Sequence, residues 1–190
     1  MTTVDWKNLY PDLSDEGYQW SLPENTPEPI GERWRDWLLA PGSLTKRLQE
    51  LSDGAFEVDV LEAQWEPAQP MHVTALGIQS ADHIWSRRVA LRGNGTPWVV
   101  AHSYFAGEPV QPSIGANHAI DAVLTLGRQP LGALLFEHPK MQRGPIEICK
   151  THTGWGRRSR FSLEGEPIVV AEYFLEALLS ETRHPQRRAE

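Results

Sequence analysis

At 190 residues with 40% apolar content and eight tryptophans, the chain suits one globular domain with a sizeable core. A net charge of −7 argues against a nucleic-acid partner, because phosphate contacts need a basic face. Cys149 is the only cysteine, so an internal disulfide is excluded; with no signal-like N-terminus and no apolar run near the roughly 18 residues of a membrane span, a cytoplasmic protein is expected.

Residues 1–30 are rich in proline and acids (Asp5, Asp12, Asp15, Glu16, Glu24, Glu28), with Lys7 the only Lys or Arg. They read as an extended N-terminal extension, with Trp6, Tyr10 and Trp20 available to anchor it. Residues 31–178 then form the domain, and residues 179–190 a polar tail containing His184-Pro185 and Arg187-Arg188.

Residues 31–40 read as a helix with Trp34, Trp37 and Leu38 on one face. Pro41-Gly42-Ser43 breaks it, Ser43 N-caps a second helix through about Leu51, and Ser52-Asp53-Gly54 closes that one. Phe56, Val58, Val60 and, less regularly, Trp65 begin the strand pattern. Strands near 83–93 and 97–105 flank Gly93-Asn94-Gly95, a strong hairpin signal. A helical stretch runs from about Asn117 to Leu126, and Pro130 opens another through Phe136. Three strands follow, near 144–149, 157–163 and 167–176. Helices and strands segregate, so the expected fold class is α+β, a single antiparallel β-sheet with helices packed on it.

Two charges stand where these strands want apolar side chains. Arg87 shares a strand face with Trp85, Val89 and Leu91, and Glu172 interrupts the apolar run Pro167–Leu175. An uncompensated buried charge is costly, on the order of 3–5 kcal/mol when a partner is deleted. The two groups either pair with each other, as a structural element, or share a ligand with an anion at one end and a hydroxyl at the other. A guanidinium grips a carboxylate bidentately. Leu44 and Leu131 stand in the first turns of two helices, where amides have no intrahelical acceptor. Either start alone is unremarkable.

The densest basic cluster is Trp155-Gly156-Arg157-Arg158-Ser159-Arg160, a strand with a solvated face or a local attraction for a small dianion. The seven histidines show no metal-ligand spacing, and Cys149 with His152 does not make a site. Phosphate loop, dinucleotide fingerprint and nucleophile elbow are all missing, so neither metal nor cofactor is expected.

Several segments, in order, resemble the chorismate pyruvate-lyase family: Trp37-Leu38 with Gly42-Ser43-Leu44-Thr45-Lys46-Arg47, Trp85 through Arg87 leading to Gly95-Thr96-Pro97-Trp98, and Leu126-Gly127 with Pro130-Leu131-Gly132 and Leu135-Phe136. Ile146-Glu147-Ile148, the tryptophan-to-arginine string at 155–160, and Gly165-Glu166-Pro167 through Glu172-Tyr173-Phe174-Leu175 complete the set. No single piece is specific; the ordered set is. The resemblance implies a monomeric, cofactor-independent enzyme that eliminates pyruvate from chorismate to give 4-hydroxybenzoate for ubiquinone, with its ligand enclosed beneath helical flaps. It implies that Arg87 grips the ring carboxylate, that backbone groups at Leu44 and Leu131 help hold it, and that Glu172 meets the product's hydroxyl.

Two departures stand out. The extension is longer than the resemblance requires, and His102-Ser103 stands where many relatives carry arginine-serine or arginine-threonine. The second anion contact is therefore open, with Arg157, Arg158 and Arg160 as candidates. The alternatives are a non-catalytic aromatic-acid sensor of the same fold, or a related lyase giving 3-hydroxybenzoate.

Overall fold

The structure, a computed structural model, describes residues 6–13, 17–109 and 118–182. Asn117, the tail with His184-Pro185 and Arg187-Arg188, and parts of the N-terminal extension lie outside the described residues.

Seven strands form one sheet: β1 (Phe56–Pro67), β2 (His83–Gly93), β3 (Thr96–Ala106), β4 (Met141–Arg143), β5 (Glu147–Lys150), β6 (Trp155–Leu163) and β7 (Glu166–Phe174). Their order is β1-β2-β3-β7-β6-β4, with β5 also on β6, and every pairing is antiparallel. The β2–β3 hairpin turns through Asn94 and Gly95, both left-handed at φ 53° and 76°. Two such residues in a two-residue turn match the right-handed strand twist, which is why Asn-Gly signals a hairpin.

The helices are α1 (Trp6–Leu9), α2 (Glu32–Leu38), α3 (Leu44–Ser52), α4 (Pro70–Leu76), α5 (His118–Leu124), α6 (Leu131–Glu137) and α7 (Glu176–Glu181). Ser43 caps α3 by accepting from the Lys46 amide at 3.3 Å, and Asp53 closes it with φ 50°. Among the described residues no helix is long and apolar enough to cross a membrane.

Three elements differ from expectation. The strand read near 144–149 starts only at Glu147, and a separate short strand, Met141–Arg143, precedes it; Pro145 between them has no N–H for a ladder, and the Gly144 amide donates to the Arg160 carbonyl at 2.8 Å. The last strand ends at Phe174, and residues 176–181 form α7, which buries Leu178 and Leu179. Helix α4 was not expected, although Pro70 in its first turn and the left-handed Gly77 (φ 68°) after its last mark its ends.

The sheet is buried on both faces. On one, two apolar clusters lie side by side: Trp37, Leu38, Leu44 and Leu48 pack on Val89, Leu91 and Phe174, while Leu131 and Leu135 pack on Phe105, Phe161 and Ile168. On the other, α4 covers one part, and Trp6, Tyr10, Leu13, Tyr18 and Trp20 of the extension cover Ala90, Val100, Ala171 and Tyr173. Buried Asp12 clips that extension to the turn between β5 and β6, accepting from the His152 amide (3.1 Å) and from the hydroxyls of Thr153 and Tyr18.

Candidate functional site

Antiparallel register sets the site residues in rows, because residues directly opposite share a face. Arg87, Ser103, Val170 and Ser159 form one row across β2, β3, β7 and β6; Val89, Ala101, Glu172 and Arg157 form the next. Both rows lie on the face that carries α3 and α6. Above them, at the seam between the two apolar clusters, is a narrow cavity. Leu44, Leu131 and Phe161 contribute to its apolar wall, and Arg87, Ser103 and Glu172 are its polar contributors from the sheet.

Arg87 is 4% exposed. Its Nη2 donates to the carbonyls of Gly127 and Gln129, each at 3.0 Å, in the turn before α6. Gly127 takes φ 55°, a conformation suited to glycine. Among the described residues no carboxylate lies within 4.0 Å of this guanidinium. Burial pushes its pKa down to about 10, so it is charged at neutral pH without a carboxylate counter-ion among the described residues.

Glu172 is not Arg87's partner. Its Oε2 accepts from Arg157 Nε at 2.6 Å, directly across β7 and β6. Arg157 is 1% exposed, and its Nη1 also donates to the carbonyls of Trp37 and Ala40, both at 3.0 Å. One guanidinium thus orients the carboxylate and ties down the turn that leads into α3.

Leu44 and Leu131 are the first residues of α3 and α6, and both line the cavity. The two helix starts approach closely at Gly132, where a Cβ would sit 2.5 Å from Thr45 Oγ1. Arg87, Glu172, Leu44 and Leu131 are therefore brought together around one cavity.

His102 is not. It is paired with Arg88 across the hairpin and faces the other side of the sheet, bonded to Ser86 Oγ at 2.8 Å. Burial first, then Arg88 and His72, hold its pKa well below the usual imidazole range. Arg158 and Arg160 also alternate to that side, Arg158 on Glu147 at 2.7 Å and Arg160 on the Leu76 carbonyl at 3.2 Å. Of the three arginines considered for a second anion, only Arg157 belongs to the site.

Sequence reasoning missed Arg143. It ends β4 opposite Phe161, on the site's face, and donates through Nε to Ser159 Oγ at 3.0 Å and through Nη1 to the Pro41 carbonyl at 2.9 Å. The signal available was its place two residues before Pro145-Ile146, where an edge strand must stop. Arg87, Arg143 and Arg157 against Glu172 leave this face two positive charges in excess among the described residues, a match for a small dianion.

No cluster of three or more His, Cys, Asp or Glu side chains able to hold a metal occurs among the described residues.

A family model described as chorismate lyase matches residues 20–184. The chain is 38% identical over 165 residues to a probable chorismate pyruvate-lyase from Pseudomonas syringae pv. syringae (strain B728a), covering 81% of this chain and 84% of that protein. A second relative, probable chorismate pyruvate-lyase 2 from Pseudomonas entomophila (strain L48), is 39% identical over 163 residues, covering 80% and 85%. Solved structures similar in part include the C-terminal domain of a histidine utilization repressor from Pseudomonas syringae pv. tomato, at 14% identity and a TM-score of 0.46 over 71% of this chain and 99% of that one. Another is a possible transcriptional regulator, YydK, from Bacillus subtilis, at 15% identity and 0.44 over 68% and 61%. Those overlaps are too loose to bear on the site. The match that runs from the extension through β7 and α7, together with relatives aligned over four fifths of the chain, shows that this chain belongs to the chorismate lyase family.

Proposed function

We propose that the protein is a chorismate pyruvate-lyase, acting as a cytoplasmic monomer without a cofactor and supplying 4-hydroxybenzoate for ubiquinone. The observation that carries this reading is Arg87: a buried guanidinium without a carboxylate partner among the described residues, at one side of a largely apolar cavity whose other charged lining group is the carboxylate of Glu172. A cavity polar at its two sides and apolar between suits a flat ring with a carboxylate at one end and a hydroxyl at the other.

In this reading Arg87 and the first-turn amides of Leu44 and Leu131 hold the ring carboxylate. Glu172, held by Arg157, accepts the hydrogen of the ring hydroxyl and fixes the ring's rotation. The ether bond between the ring and the enolpyruvyl oxygen breaks. The hydrogen on the hydroxyl-bearing ring carbon passes to the enolpyruvyl methylene through a six-membered cyclic array, giving pyruvate and an aromatic ring. Aromatisation drives the reaction, and the protein's contribution is to fix the reactive conformer and complement its charge.

The test is purified protein with chorismate, following product by absorbance and identifying it by chromatography. Equal amounts of 4-hydroxybenzoate and pyruvate are expected. Untouched chorismate with a raised melting temperature in 4-hydroxybenzoate would make the protein a sensor, and 3-hydroxybenzoate would make it a different lyase.

A further inference from the structure

We propose that Arg143 is a second carboxylate subsite, gripping the carboxylate of the substrate's enolpyruvyl side chain; this rests on chorismate being the substrate. The strand order β2-β3-β7-β6-β4 puts Arg87 at one side of the site, Glu172 in the middle and Arg143 beyond it. In chorismate the ring carboxylate and hydroxyl lie across the ring, and the enolpyruvyl ether leaves the carbon beside the hydroxyl. With the ring carboxylate on Arg87 and the hydroxyl on Glu172, the side chain emerges at the Glu172 end. Arg143 is a guanidinium on that side with capacity to spare.

Its bonding is incomplete in a useful way. Of its five N–H groups, Nε serves Ser159 and Nη1 serves Pro41, while Nη2 donates to nothing among the described residues. No carboxylate of the described residues lies within 4.0 Å of it. The guanidinium lies against the rings of Phe136 and Phe161, 5.8 and 5.4 Å from their centroids, and both rings line the cavity. Burial, then Arg157, push its pKa down while Glu172 pulls it up, so it stands within the electrostatic field of the site. An anion beside it would meet a partly desolvated, unpaired cation, where charge pairing is strong.

The other basic side chains weighed for this role are committed elsewhere. Arg157 is occupied by Glu172 and the Trp37 and Ala40 carbonyls, while Arg158 and Arg160 serve the opposite face. His102 is buried on that same opposite face, bonded to Ser86.

The experiment compares Arg143→Gln and Arg143→Lys with the unmodified protein, using three ligands. Chorismate carries both carboxylates, 4-hydroxybenzoate lacks the second, and chorismate methylated on its enolpyruvyl carboxylate has that charge masked. Arg143→Gln is expected to raise KM for chorismate at least tenfold and to leave the Kd for 4-hydroxybenzoate within twofold, with Arg143→Lys intermediate. The unmodified protein is expected to discriminate against the ester about tenfold and Arg143→Gln not at all. An unchanged KM for chorismate, or an equal loss of 4-hydroxybenzoate binding, would reduce Arg143 to a structural prop for Pro41 and Ser159. If Arg143→Gln does not fold, equal KM values for acid and ester in the unmodified protein overturn the subsite, and a tenfold difference supports it. Failure of the unmodified protein to consume chorismate would overturn the lyase reading and the subsite with it; failure confined to Arg143 leaves the lyase standing.

Discussion

Glu172 and Arg157 face each other across β7 and β6 at 2.6 Å, so the carboxylate that sequence offered as one possible partner of Arg87 is neutralised by a different arginine. The consequence is a division of labour. One side of the cavity carries a closed ion pair that presents an oriented acceptor, and the other carries a cation with no carboxylate partner among the described residues, which in the proposed reading a ligand carboxylate would pair.

That pair is a point of fragility. Arg157→Gln leaves the partly buried Glu172 without its partner and frees the carbonyls of Trp37, Leu38 and Ala40, so it is expected to lose about 3–5 kcal/mol of stability. Urea unfolding reads this directly. Glu172→Gln keeps an acceptor for Arg157 Nε and is expected to retain the fold while lowering kcat at least tenfold.

Removal of Arg87 separates binding from folding. Arg87→Gln is expected to weaken 4-hydroxybenzoate by roughly 2–5 kcal/mol, the usual loss for a desolvated charge contact. Thermal unfolding with and without the ligand measures it. A ligand-induced shift as large as that of the unmodified protein would take Arg87 out of the site.

Gly132 controls how closely α3 and α6 meet. A side chain there collides with Thr45, so Gly132→Val is expected to spread the two helix starts, cost about 1–3 kcal/mol and weaken ligand tenfold or more. Isothermal titration of the folded variant decides the point, and undiminished affinity would show that the helix starts do not define the cavity.

His102 makes stability depend on pH. Its folded pKa is depressed by burial, so the unfolded chain binds the proton more readily once pH falls below the imidazole's ordinary value near 6.5. Its contribution is complete above that pH and is lost as pH drops toward the folded pKa, by at most about 1.4 kcal/mol per pH unit. Denaturation midpoints between pH 7.5 and 5 are expected to fall more steeply for the unmodified protein than for His102→Gln; identical slopes would exclude His102 as the cause.

Internal hydrogen transfer has an isotopic signature. Chorismate deuterated on the hydroxyl-bearing ring carbon is expected to yield pyruvate with deuterium in its methyl group. Loss of the label to water would instead give Glu172 an acid–base role.

Much of this was legible in the chain. Alternation around Arg87 gave its face correctly, Ser43 marked the α3 cap, and Asn94-Gly95 marked the hairpin, because each depends on neighbours in sequence. Partners across strands were not legible. The string 155–160 holds three arginines, and only register reveals that Arg157 points inward to Glu172 while Arg158 and Arg160 point to the other face. Arg143 was hidden for a related reason: three residues beside a Gly-Pro break carry no periodicity, although they pair with β6.

The back of the sheet bears on how this protein can be trimmed. Family similarity begins at residue 20, yet Trp6, Leu13 and the Asp12 clip lie before it and cover Ala90, Val100, Ala171 and Tyr173. A chain shortened to the shared boundary would keep every cavity residue and still bare an apolar strip of central strands. Such a strip is adhesive to its own copies. A preparation lacking the acidic extension would be expected to precipitate before its chemistry could be measured.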